Sequence, residues 1–159
     1  MKKPPIKLLL NPVHLLSFGF GTGYSPYAPG TLGTLAGIII YFFVKDLSIT
    51  YYLGLTIVFF VLGIFMCSYT TRALNTDDHP AIVWDEIVGY LITMCYAPSQ
   101  WWWMVIGFIL FRIFDIFKPW PVNLADKRVK GGLGVMLDDI IAGIYSLTIM
   151  QIIVYILYT

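Results

Sequence analysis

The sequence is poor in charge and in the cysteines that cross-link small soluble folds. Of 159 residues only 12% are charged and two are cysteines, whereas 58% belong to the apolar set AVILMFWYC. Ordinary globular domains carry about 25% charged residues, and a fold this small needs them to cover its exterior. The formal net charge of +1 leaves no general attraction for a polyanion. These figures exclude a soluble domain, a disordered chain, a coiled coil, a disulfide-rich module and a nucleic-acid-binding protein, and they predict an integral membrane protein.

The cysteines and the N-terminus indicate no other class. Cys67 and Cys95 lie within apolar runs, so each is expected to be a small buried hydrophobe rather than part of a disulfide or metal site. The lysines near the N-terminus are followed by only three leucines before Asn11-Pro12, and no small-residue cleavage site follows. We therefore expect no cleavable signal sequence.

Hydrophobic segments follow one another along most of the chain. They cover residues 31–44, 47–71, 87–97, 101–111 and 135–158. The second and the last are long enough to cross a hydrocarbon core of about 30 Å. The sequence therefore predicts an all-α fold, a small polytopic membrane bundle of about four to five hydrophobic helices, some of them short or hairpin-like.

The connections between these segments give further expectations. The two short segments around Pro98 favour a helical hairpin over one long kinked helix, with Trp101-Trp102-Trp103 in an aromatic belt at the far interface. Pro80 is typical of a first helical turn, with Asp78 or His79 as its cap. Residues 118–121 are expected to be non-helical, and a charged loop is expected to continue to Gly134.

The basic residues mark one membrane face. If the N-terminal lysines lie inside and the crossings alternate, nine of the ten Lys and Arg residues fall on one side and only Lys45 on the other. The positive-inside rule identifies that side as cytoplasmic. Eight of the nine acidic residues fall on the same side, with Asp46 as the exception. Topology requires no such layer of acids, so a polar site at the cytoplasmic face is predicted.

Two acidic pairs lie within this layer. Asp85 and Glu86 open one apolar segment, and Asp138 and Asp139 lie at the entrance of the last. Acidic side chains in a first helical turn interact favourably with the helix dipole, and this structural role is enough to explain a single pair. Adjacent carboxylates near hydrocarbon repel each other, and a divalent cation such as Mg²⁺, which accepts oxygen ligands, removes the repulsion. With Asp115 and several bases in the same layer, the pattern favours a metal site that binds the phosphate of a lipid headgroup.

A glycine-rich stretch, residues 19–34, precedes the first apolar segment. Glycines let backbone N–H groups approach an anion closely, but entry loops of this kind are also common for packing reasons alone. By itself the stretch is a weak indication of a ligand site.

Four motifs resemble those of the bacterial phosphatidylglycerophosphatase A family. They are Pro29-Gly30-Thr31, Val83-Trp84-Asp85-Glu86, the run FRIFDIFKP at 111–119 and the run GGLGVMLDD at 131–139, with matching order and spacing over residues 18–147. The resemblance implies a Mg²⁺-dependent phosphatase that converts phosphatidylglycerophosphate to phosphatidylglycerol in phospholipid biosynthesis. It implies one membrane-embedded phosphatase domain over residues 1–159, multi-pass in the bacterial cytoplasmic (inner) membrane, with the N-terminus and the active site cytoplasmic.

The resemblance also implies roles for individual residues. The expected Mg²⁺ ligands are Asp85, Glu86, Asp138 and Asp139. Asp115 is expected as a further ligand or as the base that orients a water, and the expected catalytic residues are Asp85, Asp115 and Asp139. The phosphate and headgroup are expected to be bound by Arg112, Lys118, Lys130, Thr31 and Thr34.

The residues leave the chemical mechanism open. No Ser or Cys stands in the setting of a nucleophile, and neither His14 nor His79 has an evident partner. Attack of a water on phosphorus is the simpler mechanism, and a covalent phospho-aspartate is the alternative.

Two other function classes are the competing hypotheses. A small membrane transporter predicts charges distributed across the bilayer, often midway, whereas here they gather at one face. A subunit that only binds lipid headgroups needs bases without paired acids, which Asp138-Asp139 contradicts. The expected partners are the membrane and a phospholipid substrate, with no nucleic acid; the sequence does not fix the oligomeric state.

Overall fold

The structure is a computed structural model and describes residues 3–158, except for the side chains of Asp126 and Lys127. Residues 3–158 form seven α-helices in chain order: α1 (Pro12–Ser17), α2 (Pro29–Val44), α3 (Ile49–Leu74), α4 (Trp84–Thr93), α5 (Trp102–Phe117), α6 (Val122–Arg128) and α7 (Gly131–Tyr158). Two 3₁₀ stretches, Ile6–Leu10 and Gly19–Tyr24, flank α1. Residues 3–158 contain no β-strand, so the predicted all-α class is confirmed.

Within residues 3–158, two helices are long and apolar enough to cross a membrane. They are α3 with 26 residues and α7 with 28, each spanning roughly 40 Å at about 1.5 Å per residue. The apolar helix α2 is shorter, with 16 residues. Large apolar side chains such as Phe43 and Phe65 point outward from these helices. This outward apolar surface and the all-helical fold make the chain a small helical membrane protein.

The last span begins earlier than predicted. We expected a charged loop up to Gly134, but α7 starts at Gly131, and the short helix α6 lies within the expected loop. Packing overrides the turn preference of these glycines, because a side chain at Gly132 would overlap the Ile64 carbonyl and Ser68 of α3. Consequently Asp138 and Asp139 lie two turns inside α7 rather than at its entrance. Residues 118–121 are non-helical, as predicted.

Helices α4 and α5 form the predicted hairpin. The Tyr90 hydroxyl donates to the Met104 carbonyl at 3.0 Å, and Gly107 of α5 lies against the Met94 sulfur, so the two helices run antiparallel across the break at 94–101. The expectation that all three tryptophans form an interfacial belt is wrong for Trp103. This residue is 1% exposed because the first turn of α5 directs it into the core, whereas Trp101 and Trp102 are exposed.

The start of α4 also differs from the expectation. The helix begins at Trp84 rather than at Pro80, and no side chain in the described part of the chain caps it. His79 instead closes a separate turn, since its Nδ1 accepts from the Ala81 N–H at 3.1 Å and its carbonyl from the Ile82 N–H at 2.8 Å. The cap role predicted for Asp78 or His79 is therefore wrong.

The short helix α4 lies at the centre of the bundle. Its apolar residues Ile87, Val88 and Leu91 are fully buried, and it packs against α2, α3, α5 and α7. Close contact with α7 depends on two glycines: a side chain at Gly89 would stand 2.8 Å from the Asp139 carbonyl, and one at Gly143 would stand 2.6 Å from the Gly89 carbonyl. The N-terminus of α4, with its acidic pair, is thereby held beside Asp139 of α7.

Candidate active site

Three carboxylates from two helices meet at one end of the bundle. Asp85 and Glu86 come from the first turn of α4, and Asp139 from the third turn of α7. One oxygen of each lies within 4.8 Å of the other two. Carboxylate oxygens at this separation repel one another strongly where water is scarce.

The carboxylate oxygens are also short of hydrogen bonds. Asp139 is 2% exposed, and buried oxygens of all three residues, Asp85 Oδ1, Glu86 Oε2 and Asp139 Oδ2, have no hydrogen-bond partner within residues 3–158. Burying an ionised carboxylate without a partner raises the free energy of the folded state by roughly several kcal/mol. A divalent cation satisfies such oxygens and cancels their repulsion, and three hard oxygen donors are a suitable ligand set for Mg²⁺. The residues present therefore fit the cation that the sequence implied.

Arg112 and Asp115 lie beside this cluster. The Arg112 Nη1 forms an ion pair with Asp115 one turn later on α5, and both side chains are mostly buried. Asp115 in turn interacts electrostatically with Glu86 and Asp139. One end of the guanidinium is thus engaged, while its Nε, which is buried, has no acceptor within the described part of the chain.

The N-terminal turn of α2 closes the site on another side. Arg112 Nη1 donates to Thr34 Oγ1 at 3.4 Å, and the Thr34 hydroxyl donates to the Gly30 carbonyl at 2.9 Å. A hydroxyl has one hydrogen, so Thr34, which is fully buried, orients Arg112 and has no proton left for a headgroup. Gly30 itself lies directly against Glu86 Oε1. Thr31, on the same turn, is half-buried.

Asp138 and Lys118 form an ion pair next to the cluster. Lys118 ends α5 in a left-handed conformation, and its Nζ donates to Asp138 Oδ2 at 2.7 Å. Asp138 is 7% exposed. The structure thus brings Asp85, Glu86 and Asp139 together and leaves Asp138 outside that group, so the ligand role of Asp138 stays a prediction.

Lys130 lies further out, at the surface. Its side chain is 72% exposed, and its Nζ donates to Asp77 Oδ2 at 2.9 Å; this bond raises the pKa of Lys130 above its ordinary value. It shares with Asp138 the lining of a cavity of about 160 Å³. The phosphate-binding role of Lys130 also stays a prediction.

The glycine-rich stretch packs against the segment that leads into α4. A side chain at Gly23 would overlap the Ala81 carbonyl, and side chains at Gly19 or Gly33 would overlap Val83. Close packing therefore explains these glycines, and ligand binding is not needed to do so.

His14, for which the sequence offers no partner, has two buried ones. Its Nδ1 lies 2.9 Å from Thr70 Oγ1, and Thr70 donates to Ser17 Oγ at 2.9 Å. Because 56 residues separate His14 from Thr70, no local pattern could have indicated the contact.

The sequence is similar to known proteins over most of its length. A family model described as phosphatidylglycerophosphatase A matches residues 15–154. The phosphatidylglycerophosphatase A of Escherichia coli (strain K12) is 42% identical over 144 residues, covering 90% of this chain and 84% of that protein. That of Haemophilus influenzae (strain ATCC 51907 / DSM 11121 / KW20 / Rd) is 43% identical over 149 residues, covering 92% and 91%.

A third relative carries a different name. A Bacteroides thetaiotaomicron protein, provisionally named a phosphatidylinositol-3-phosphatase, is 37% identical over 145 residues, covering 87% of this chain and 91% of that protein. No solved structure matches the chain. Since the family model covers most of the chain and both phosphatidylglycerophosphatases exceed 40% identity, the chain belongs to the phosphatidylglycerophosphatase A family and is a phosphatase.

Proposed function

We propose that this chain hydrolyses the terminal phosphate monoester of phosphatidylglycerophosphate, with Mg²⁺, to give phosphatidylglycerol and inorganic phosphate. The observation that carries the proposal is the group of three buried carboxylates with unsatisfied oxygens beside Arg112. Family membership and the names of the two relatives above 40% identity support the substrate. A transporter role is disfavoured because most ionic side chains gather at one end of the helices, and a purely headgroup-binding role is disfavoured because acidic residues stand among the bases.

The cation would be held by Asp85, Glu86 and Asp139. When bound, Mg²⁺ offsets the charge of these carboxylates and polarises the phosphoryl group for attack. The chain itself contributes the prearranged oxygens. The helices that carry them, α4 and α7, cannot separate easily because glycines allow them to pack closely together.

Arg112 is our main candidate for binding the phosphate. Asp115 and Thr34 fix one end of its guanidinium, and its buried Nε has no acceptor within the described residues. A guanidinium held in this way can donate two parallel hydrogen bonds to phosphate oxygens. Lys118, beside the cluster, adds a second positive charge, whereas Lys130 stands in the outer ion pair.

Asp115 is the carboxylate that we propose orients the attacking water and takes its proton. The water oxygen bonds to phosphorus, and the bond from phosphorus to the glycerol oxygen breaks with its electron pair on that oxygen. Asp115 then releases this proton to the glycerol oxygen, so one water is consumed and no other reactant is needed. Lys118 and Arg112 stabilise the negative charge of the transferring group.

The membrane placement is part of the proposal. We infer a multi-pass protein of the bacterial inner membrane whose N-terminus and active site face the cytoplasm. The support is the sequence count of basic residues together with the side-chain contacts that join residues 30–34, 77, 112–118 and 130–139 at one end of the bundle. At the opposite end, Lys45 lines a small cavity with Met94 and Tyr96.

Phosphate release by the purified protein in detergent micelles tests the activity. We expect release from phosphatidylglycerophosphate with Mg²⁺ and its loss on adding excess chelator, with recovery when Mg²⁺ is restored. A parallel assay with phosphatidylinositol 3-phosphate addresses the name of the third relative. Faster release from the inositol lipid would contradict the proposed substrate, and release that resists the chelator would contradict the metal dependence.

A further inference from the structure

A buried chain of hydrogen bonds connects α1 to α3 and includes none of the site carboxylates. It runs through His14, Thr70 and Ser17, which are 3%, 0% and 0% exposed. His14 Nδ1 lies 2.9 Å from Thr70 Oγ1, Thr70 Oγ1 lies 2.9 Å from Ser17 Oγ, and Ser17 donates to the Val13 carbonyl at 3.0 Å. Buried polar groups that satisfy one another in this way fix the relative position of the elements that carry them.

Because each hydroxyl has one hydrogen, the donor and the acceptor of every hydrogen bond in this series can be assigned. The Val13 carbonyl can only accept, so it takes the hydrogen of Ser17, and Ser17 must accept the hydrogen of Thr70. Thr70 then has none left to donate, so His14 is the donor through Nδ1–H. Burial lowers the pKa of His14 below its ordinary value. Removing the Thr70 hydroxyl would leave a buried imidazole N–H without its acceptor.

Ser17 of α1 also contacts the residue that precedes α4. The Ser17 carbonyl accepts from the Val83 N–H at 2.9 Å, and Val83 is the residue immediately before α4. Among the described residues no side chain caps α4, so this contact from another helix helps to hold its start. The segment that leads into α4 also packs against the second 3₁₀ stretch and α2, where glycines lie in close contact with Ala81 and Val83.

We propose that Thr70 and His14 are positioning residues for the carboxylate cluster: they fix Ser17, whose carbonyl sets the start of α4 and thereby the places of Asp85 and Glu86. They act through the backbone, because the chain of hydrogen bonds ends at α1 and reaches α4 only at the Val83 N–H. The part of the proposal that concerns the cation rests on the proposed function above.

Repulsion explains why such support is needed. Asp85 and Glu86 follow Val83 by two and three residues, and both face Asp139 with unsatisfied oxygens. Without a firm anchor, the carboxylates would separate in the absence of a cation, and binding would then include the free energy of bringing them back together. A fixed start of α4 keeps the oxygens prearranged.

Thr70→Val tests the proposal, because valine keeps the shape and removes the hydroxyl. Thr56→Val is the matched control: Thr56 is a buried threonine of the same helix whose hydroxyl donates only within that helix, to the Tyr52 carbonyl at 2.9 Å. Thr70→Ser restores the hydroxyl. Should Thr70→Val fail to fold, His14→Phe removes the donor and keeps an aromatic ring stacked against Tyr69.

Two measurements on full-length protein in detergent micelles give the result. Hydrogen exchange of a peptide covering residues 81–86, without metal, should be about fivefold faster in Thr70→Val than in the wild type. Mg²⁺ affinity, measured by calorimetry without substrate, should be about tenfold weaker. Thr70→Ser and Thr56→Val should stay close to the wild type in both.

Unchanged exchange in Thr70→Val, or an equal change in Thr56→Val, would overturn the proposal. If the wild type neither binds Mg²⁺ nor releases phosphate, the proposed function fails, and exchange at 81–86 still decides whether Thr70 positions α4.

Discussion

Gly30→Ala is a substitution that should leave the fold intact and damage the site. Gly30 lies in the first turn of α2, and a methyl group there would overlap Glu86 Oε1 and stand 3.2 Å from Arg112 Nη1. The backbone of Gly30 is not in the left-handed region, so alanine is sterically allowed at the main chain. Alanine is also the better helix former, by up to about 1 kcal/mol.

The overlap therefore falls on the side chains of the site. The Glu86 carboxylate is the flexible end of its side chain, and a shift of about 1 Å relieves the contact. A misplacement of that size in a catalytic group commonly lowers the rate by about 10²-fold, which corresponds to roughly 2.7 kcal/mol of transition-state stabilisation. We expect this loss together with a weaker response to Mg²⁺ and an unchanged or slightly raised melting temperature.

Gly54→Ala is the control, because Gly54 lies in α3 with no atom within 4 Å of the added methyl group. The assay is Mg²⁺-dependent phosphate release at equal protein concentration, with melting temperatures measured in the same detergent. Near-normal activity of Gly30→Ala would refute the placement of Glu86 in the site. An equal loss in Gly54→Ala would show that any added methyl group impairs the enzyme and would refute the reasoning as well.

Three further predictions follow from the bases and the topology. Arg112→Lys keeps the charge and loses the two-pronged donor, so phosphate release should fall about 10²-fold, and a loss below threefold would contradict the proposed phosphate contact. Lys118→Ala removes the ammonium group that pairs with the buried Asp138 Oδ2 and should reduce both rate and melting temperature, whereas Lys130→Ala breaks an exposed pair and should cost less than about tenfold in rate; a greater rate loss in Lys130→Ala than in Lys118→Ala would contradict this order. In a background without the native cysteines, a cysteine at Arg128 should react with an impermeant reagent only from the cytoplasm and one at Ser99 only from outside, and labelling of both from one side would contradict the topology.

Much of the fold was predictable because membrane-spanning helices can be recognised from long hydrophobic runs in the sequence. A long uncharged run in lipid must form a helix to satisfy its own backbone, so α3 and α7 could be identified from composition and length. The hairpin followed from Pro98 between two short apolar runs. Helix boundaries were less predictable where packing decides them, as at Gly132, where contact with α3 extends α7 beyond the expected start.

The site was predictable as a set of residues and less so as a geometry. Asp85, Glu86 and Asp139 could be expected together because acidic pairs at one membrane face need a common partner. The position of Asp138 beside Lys118 depends on how α7 is rotated in the bundle. Adjacent residues on a helix point about 100° apart, so Asp138 and Asp139 cannot both face one point equally. The contact between His14 and Thr70 depends on the packing of two distant segments, which no local spacing encodes.

In the proposed function, three mutually repelling carboxylates hold the divalent cation of a lipid phosphatase. Asp139→Asn tests it most directly, with Asp46→Asn as the control, since Asp46 is exposed beside Lys45 at the other end of the bundle. Removing one repelling charge should raise the melting temperature of the metal-free protein, weaken Mg²⁺ binding at least about tenfold, and abolish most of the phosphate release. Asp46→Asn should change none of these. Mg²⁺ binding by Asp139→Asn with wild-type affinity would contradict the proposed role of Asp139 as a metal ligand.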